Sequence, residues 1–119
     1  MRQWRSILMR RVNVTFIETA VFTAQVAKAL SDEEYSKFQS FLAEQPTAGA
    51  PISGTGGARK IRWADPNRGK GKRGGIRTIY FYRDQHEQII MLYLYSKDEQ
   101  DDLTQGQKKA LKAVIQNWN

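Results

Sequence analysis

Residues 54–83 carry the cations Arg59, Lys60, Arg62, Arg68, Lys70, Lys72, Arg73, Arg77 and Arg83, opposed within that stretch only by Asp65. They lie in two runs of strand-forming residues, R-K-I-R-W and I-R-T-I-Y-F-Y-R, and in the glycine-basic sequence G-K-G-K-R-G-G that separates them. A cationic strand-loop-strand surface suits the binding of a phosphate backbone, whose charge density rewards every fixed ammonium or guanidinium brought against it. Side chains alternate along a strand, so Lys60 and Arg62 share one side of theirs and Ile61 and Trp63 the other. Arg77 falls on the next strand pattern, and Tyr93, Tyr95 and Lys97 share a side near the end of the one after it. Adjacent pairing of these strands would gather Lys60, Arg62, Arg77 and Lys97 on one open face. Cysteine is absent and histidine occurs once, which excludes disulfides, thiolate catalysis, Cys-ligated zinc and a His-rich metal site.

The elements that must hold these cations are read from periodicity. With 119 residues, 40% of them hydrophobic, the chain suits one domain with one ordinary core. Residues 1–11 lack a clear period and are expected to form a basic, mobile arm outside a domain spanning 12–119. Val12, Val14 and Phe16 alternate with Asn13 and Thr15 as in a half-buried strand. Thr19 is placed to cap a helix that buries Phe22, Val26, Ala29 and Leu30. Ser31 and Glu34 form a capping box before a second helix with Tyr35, Phe38, Phe41 and Leu42 inward, stopped by Pro46, Gly49 and Pro51. Strands are expected near residues 59–63, 76–83 and 88–95, with residues 84–87 as a hairpin turn. Thr104 and Gln107 offer another capping box, followed by a stripe of Leu111, Val114, Ile115 and Trp118. The order β-α-α-β-β-β-α predicts an α+β domain: a mostly antiparallel sheet of about four strands, helices on one face, the other face partly open.

This order and these residues resemble the RelE-like toxins of bacterial toxin-antitoxin pairs, and most closely the HigB branch, over residues 12–118. The resemblance rests on L-S-D-E-E-Y with Phe38-Gln39, on G-T-G-G-A-R-K-I-R, on G-K-G-K-R-G-G with Arg77, and on Tyr95-Ser96-Lys97. It implies a small basic domain that enters the A site of the 30S ribosomal subunit, beside ribosomal RNA, and cleaves messenger RNA there without a metal or other cofactor. It also implies a cytoplasmic protein, no membrane partner, and neutralisation by a helix-turn-helix, HigA-like antitoxin. The implied chemistry is attack of a ribose 2′-hydroxyl on the adjacent phosphate, which needs a base, stabilisation of the phosphorane and an acid for the leaving 5′-oxygen.

By similarity, Lys60 and Arg62 match the basic positions of the family's second strand and Arg77 the arginine of its third. Lys60 is assigned as base or proton relay, since crowding by Arg62 and Arg77 disfavours its protonated form. Arg77 would clamp the scissile phosphate through its planar fork, Arg62 would share the developing charge, and Lys97 would donate to the departing oxygen. Arg59, Arg68, Lys70, Lys72, Arg73, Tyr93 and Tyr95 are the expected RNA contacts. The chain departs from the RelE pattern at Asp98, where an arginine is expected, and in the sequence Asp101-Asp102-Leu103-Thr104, where a tyrosine is expected.

Other motifs have plainer explanations. Gly54-Thr55-Gly56-Gly57 lacks the spacing of a nucleotide-binding loop and reads as a turn. His86 sits in the hairpin turn, the carboxylates after Ser31 cap a helix, and Trp63, Tyr80 and Tyr82 fit a core. Two alternatives to a ribonuclease share the fold and charge: a ParE-like poison of DNA gyrase and a non-catalytic nucleic-acid-binding module.

Overall fold

The computed structural model describes residues 3–9, 12–63 and 75–118. Six strands form one sheet in the order β1-β2-β6-β5-β4-β3. They are β1 (Gln3–Met9), β2 (Val12–Glu18), β3 (Ala50–Pro51), β4 (Ala58–Trp63), β5 (Ile76–Arg83) and β6 (Gln88–Ser96). Helices α1 (Ala20–Ala29) and α2 (Asp32–Glu44) follow β2, and α3 (Gln105–Trp118) closes the chain's order. All neighbouring strands run antiparallel except β2 and β6, which are parallel.

Local chemistry accounts for the helix starts. The Thr19 hydroxyl accepts from the Phe22 amide at 3.1 Å and the Ser31 hydroxyl from the Glu34 amide at 3.1 Å, each satisfying a donor the helix leaves open. At α3 the box is reciprocal: Thr104 Oγ1 accepts from the Gln107 amide at 3.1 Å, and Gln107 Oε1 accepts from the Thr104 amide at 2.9 Å. Glu18, at the end of β2, is buried and accepts from the Thr23 and Tyr35 hydroxyls at 2.7 and 2.6 Å, tying the strand to α1 and α2.

The α+β class and the α-helix and strand positions agree with the sequence, and three details differ. Two extra strands flank the expected four: β3, with only two residues, and β1, which the sequence placed in an arm outside the fold. Strand β1 pairs with β2 from Gln3↔Glu18 to Met9↔Val12, backbone bonding that does not require an alternating side-chain pattern. The third difference concerns α3. One core joins α1 and α2 to Phe16, Ile76, Tyr80, Ile89 and Met91; a second, on the opposite face, joins Leu111 and Ile115 of α3 to Ala58, Ile79, Ile90 and Leu92. Helices therefore cover both faces, and only the part of the second face beyond α3 stays open. Val114, expected in the stripe of α3, is 37% exposed.

A bulge contributes to the second core. The β5–β6 register passes from Ile79↔Tyr93 to Tyr80↔Met91, leaving Leu92 as the additional residue. Leu92 and Tyr93 thereby both pack with the α3 cluster.

Tyr80 ties the loop after α2 to the sheet: its hydroxyl donates to the Pro46 carbonyl at 2.7 Å and accepts from the Gly49 amide at 2.9 Å. Gly49 has no room for a side chain, because a Cβ there would lie 2.8 Å from Tyr80 Cε1 and 3.1 Å from the Lys60 carbonyl oxygen. Burial and loss of solvation push the Tyr80 hydroxyl's pKa up, so it serves as a neutral donor and acceptor. Tyr80→Phe is expected to lower stability by about 1–3 kcal/mol, because it strands a buried amide and carbonyl. The check is the urea unfolding midpoint at constant slope.

Candidate phosphate-binding face

Strand β4 changes character along one side. Ala58 is fully buried, Lys60 is half-buried, and Arg62 is exposed. Ile61 and Trp63 project to the other side, where Trp63 packs at ring-centroid distances of 4.9 Å from Phe38 and 5.5 Å from Phe41. The alternation read from the sequence is thus the alternation of the strand. Across the β4–β5 ladder Lys60 lies opposite Ile79 and Arg62 opposite Arg77; across β5–β6, Arg77 lies opposite Tyr95 and Ile79 opposite Tyr93. Cross-strand partners share a face, so Lys60, Arg62, Arg77, Tyr93 and Tyr95 are gathered on one side of three adjacent strands.

Arg77 is the deepest of the described cations, only 7% exposed. Among the described residues its guanidinium donates to the Gly75 carbonyl at 3.1 Å and has no carboxylate partner. The same carbonyl accepts from the Lys97 amide at 3.3 Å, which sets the start of the turn after β6 beside Arg77. Arg62 directly opposite is a like charge, an arrangement that costs folding energy and becomes favourable when an anion bridges the pair.

Tyr95 is 2% exposed, and its hydroxyl has no hydrogen-bond partner among the described residues. Burial pushes its pKa up and the nearby Asp102 adds to the shift, against a smaller opposing pull from Arg77. At neutral pH Tyr95 is therefore a hydrogen-bond donor and not a phenolate base. Tyr93 is half-buried, its ring centroid 6.1 Å from that of Tyr95. Its hydroxyl donates to Gln100 at 3.2 Å and accepts from Gln107 Nε2 at 3.2 Å.

Two carboxylates, which the sequence showed only as a departure from a family pattern, enter the site. Lys60 Nζ lies 3.3 Å from Asp102 Oδ1, and Lys97 Nζ lies 3.0 Å from Asp101 Oδ1. Asp102 Oδ1 also accepts from the Leu103 amide at 2.8 Å. That backbone bond, followed by the Lys60 contact, holds the Asp102 carboxyl below the ordinary carboxylate range despite some desolvation. Gln100 Nε2 fastens the turn by donating to the Asp102 carbonyl at 2.8 Å and to Gln107 Oε1 at 2.9 Å. The signal for Gln107 was present in the capping box; nothing local marked Asp102 as a partner of Lys60, 42 residues away.

Arg59 does not join the face. It lies opposite Tyr80 on the α1–α2 side, where its Nη1 donates to the Gly49 and Thr47 carbonyls at 2.7 and 3.2 Å and ties the strand to the loop after α2. Arg68, Lys70, Lys72 and Arg73 lie outside the described residues. The 54–57 segment is a turn: Gly54 and Gly56 take φ of 82° and 78°, a region that favours glycine, and Thr55 closes it by donating to the Ile52 carbonyl at 2.7 Å. Among the described residues no cluster of three or more His, Asp or Glu side chains is placed to hold a metal ion, and no helix is long and apolar enough to cross a membrane.

These features define a small α+β domain that gathers a buried arginine, flanking cations and tyrosines on one sheet face. The family model described as the RelE toxin of the RelE/RelB toxin-antitoxin system matches residues 43–119, and the chain belongs to that family of toxins. Among solved structures, that of an E. coli RelE double mutant in the free state superimposes with a TM-score of 0.51 at 14% identity, covering 85% of this chain and 94% of that one. This likeness shows the shared fold.

Two measurements probe the site without reference to activity. Tyr95→Phe is expected to be as stable as the wild type or more stable by up to about 1 kcal/mol, because it removes a buried hydroxyl that has no partner. Its unfolding midpoint is the readout, and Tyr80→Phe is the contrast. For Asp102, a pKa lowered on folding contributes stability above the unfolded value and loses it as pH falls through the folded value. Part of the acid-side loss of stability is therefore expected to lie below pH 3.8 and to vanish in Asp102→Asn, as read from urea midpoints across an acid titration.

Proposed function

We propose that this toxin is a ribosome-dependent endoribonuclease of the HigB type, which cleaves messenger RNA in the A site and so inhibits translation. The observation that carries the reading is Arg77: a guanidinium buried on the sheet face, opposite Arg62 and Tyr95, with no carboxylate partner among the described residues. A buried, uncompensated cation is costly, and a bound phosphate offsets that cost.

In the proposed reaction the ribose 2′-oxygen attacks the adjacent phosphorus, the bond from phosphorus to the 5′-oxygen breaks, and the products are a 2′,3′-cyclic phosphate and a 5′-hydroxyl. Arg77 holds the non-bridging oxygens and Arg62 shares the charge that grows on them. Lys97 donates a proton to the leaving oxygen. Lys60 takes the 2′-hydroxyl proton; paired with Asp102 it is an ammonium, which can stabilise charge but cannot accept a proton, so that role requires the contact to open and the lysine to shed its proton first. Tyr93 flanks the phosphate or stacks on a base, the buried Tyr95 lies beside Arg77 beneath the face, and Arg68, Lys70, Lys72 and Arg73 grip the RNA backbone through charge. The cognate inhibitor on this reading is a HigA-like helix-turn-helix antitoxin, and the setting is the cytoplasm.

Mapping transcript ends with purified ribosomes present and absent tests this directly. Cleavage is expected within codons only when ribosomes are translating, and no cleavage under either condition would sink the enzyme reading. Arg77→Ala is expected to lower the cleavage rate by about 100- to 1,000-fold, the usual cost of losing a donor to the transition state. Lys72→Ala should cost only several-fold, read as weaker binding, so equal losses would reduce the site to charge alone.

A further inference from the structure

We infer that Asp101 and Asp102 form an acidic clasp that occupies the anion positions of Lys97 and Lys60 in the free toxin and must be displaced by RNA phosphate. The inference rests on reading the cationic face as the substrate site. Of the four cations assigned to chemistry, the two lysines are paired with carboxylates of one short turn, at 3.0 and 3.3 Å, while Arg77 has no carboxylate partner among the described residues. The turn is held in place by more than these pairs. Tyr93, Gln100 and Gln107 form a closed set of hydrogen bonds at 2.9 to 3.2 Å, and Gln100 reaches the Asp102 backbone. Because Gln107 also caps α3, the clasp is anchored to the helix that covers the second face.

Both carboxylates stay accessible: the side chains of Asp101 and Asp102 are 90% and 63% exposed. Exposed pairs of this kind are weak, so an incoming phosphate can exchange with them without unfolding the turn. The exchange releases a carboxylate as each phosphate arrives, which lowers the net gain from RNA binding and favours sites where a phosphate is presented in a fixed position over loose single strands. The clasp thus restrains binding of RNA in general.

The test is the affinity of the full chain for a short, single-stranded, 2′-O-methylated RNA, whose blocked nucleophile prevents cleavage, measured by fluorescence anisotropy over a range of salt. Asp101→Asn with Asp102→Asn is expected to bind about 3- to 30-fold more tightly, the range set by two surface ion pairs. Its log-log salt dependence should steepen by about 0.7 for each freed lysine. Glu33→Gln with Glu44→Gln raises the net charge equally at exposed positions of α2, and a gain as large in that variant would overturn the clasp. So would an unchanged or weaker affinity in the aspartate variant. On a Lys60→Gln background the gain from Asp102→Asn should disappear, and its persistence would also count against the idea. Asparagine retains the acceptor for the Leu103 amide, and Asp101→Asn alone, which leaves that bond untouched, must give part of the gain. Since binding is read without ribosomes or cleavage, a failed clasp leaves the ribonuclease reading to the transcript-end assay.

Discussion

Two arginines, Arg62 and Arg77, are paired directly across β4 and β5, and the register that puts them there is set from the other side of the sheet. Ile61 and Trp63 pack with the α1–α2 core, together with Ile76 and Tyr80 from the neighbouring strand. A slip of one residue would turn those apolar groups into solvent and the arginines into the core. The apolar pattern therefore enforces a repulsion that β4 and β5 would not choose for themselves. Arg77 is tolerated in its buried place because its head finds the Gly75 carbonyl. The rest of the second face is organised around the charge this register creates.

Helix α3 decides how much of that face remains. It meets the sheet where β4 offers the small, fully buried Ala58, packed in one cluster with Leu111 and Ile115, and where the turn offers Gly56 beside Lys112 and Ile115. Farther along, β4 presents Lys60 and Arg62, which a covering helix would have to desolvate at a cost exceeding any gain from contact. Core and candidate site are thus consecutive parts of one strand face, with small residues under the helix and cations beyond it. The bulge at Leu92 extends the apolar part without shifting Tyr95 from its place opposite Arg77.

What the sequence made legible was local or periodic. Caps at Thr19, Ser31 and Thr104 depend on side chains within three residues of the amides they serve, and the phase of β4 depends only on alternation. The face on which α3 lands is different: a stripe of Leu111, Ile115 and Trp118 states that the helix is buried, not against which side. Strand β1 was missed because Trp4, Ile7, Leu8 and Met9 do not alternate, while the pairing that holds it is made by backbone. Arg59 was misplaced by counting charge along the chain without applying the alternation that separates it from Lys60. Lys60 and Asp102 were invisible as a pair because their contact depends on how the turn after β6 folds back across the sheet.

The distribution of carboxylates across the face is uneven, and the unevenness follows from exposure. Lysines 33% and 40% exposed can keep exposed carboxylates, since the pair is solvated and neither member loses much water. A carboxylate brought to Arg77 would have to be buried with it, forming a pair whose desolvation cost offsets its attraction. Such a buried pair would not exchange readily with another anion. Leaving the deep position to a neutral carbonyl and confining the acids to the rim keeps the field of the buried guanidinium available. On the proposed reading a phosphate entering the face displaces weak partners at the edge and meets no carboxylate at the centre, so the strongest interaction forms last and only with a group that reaches Arg77.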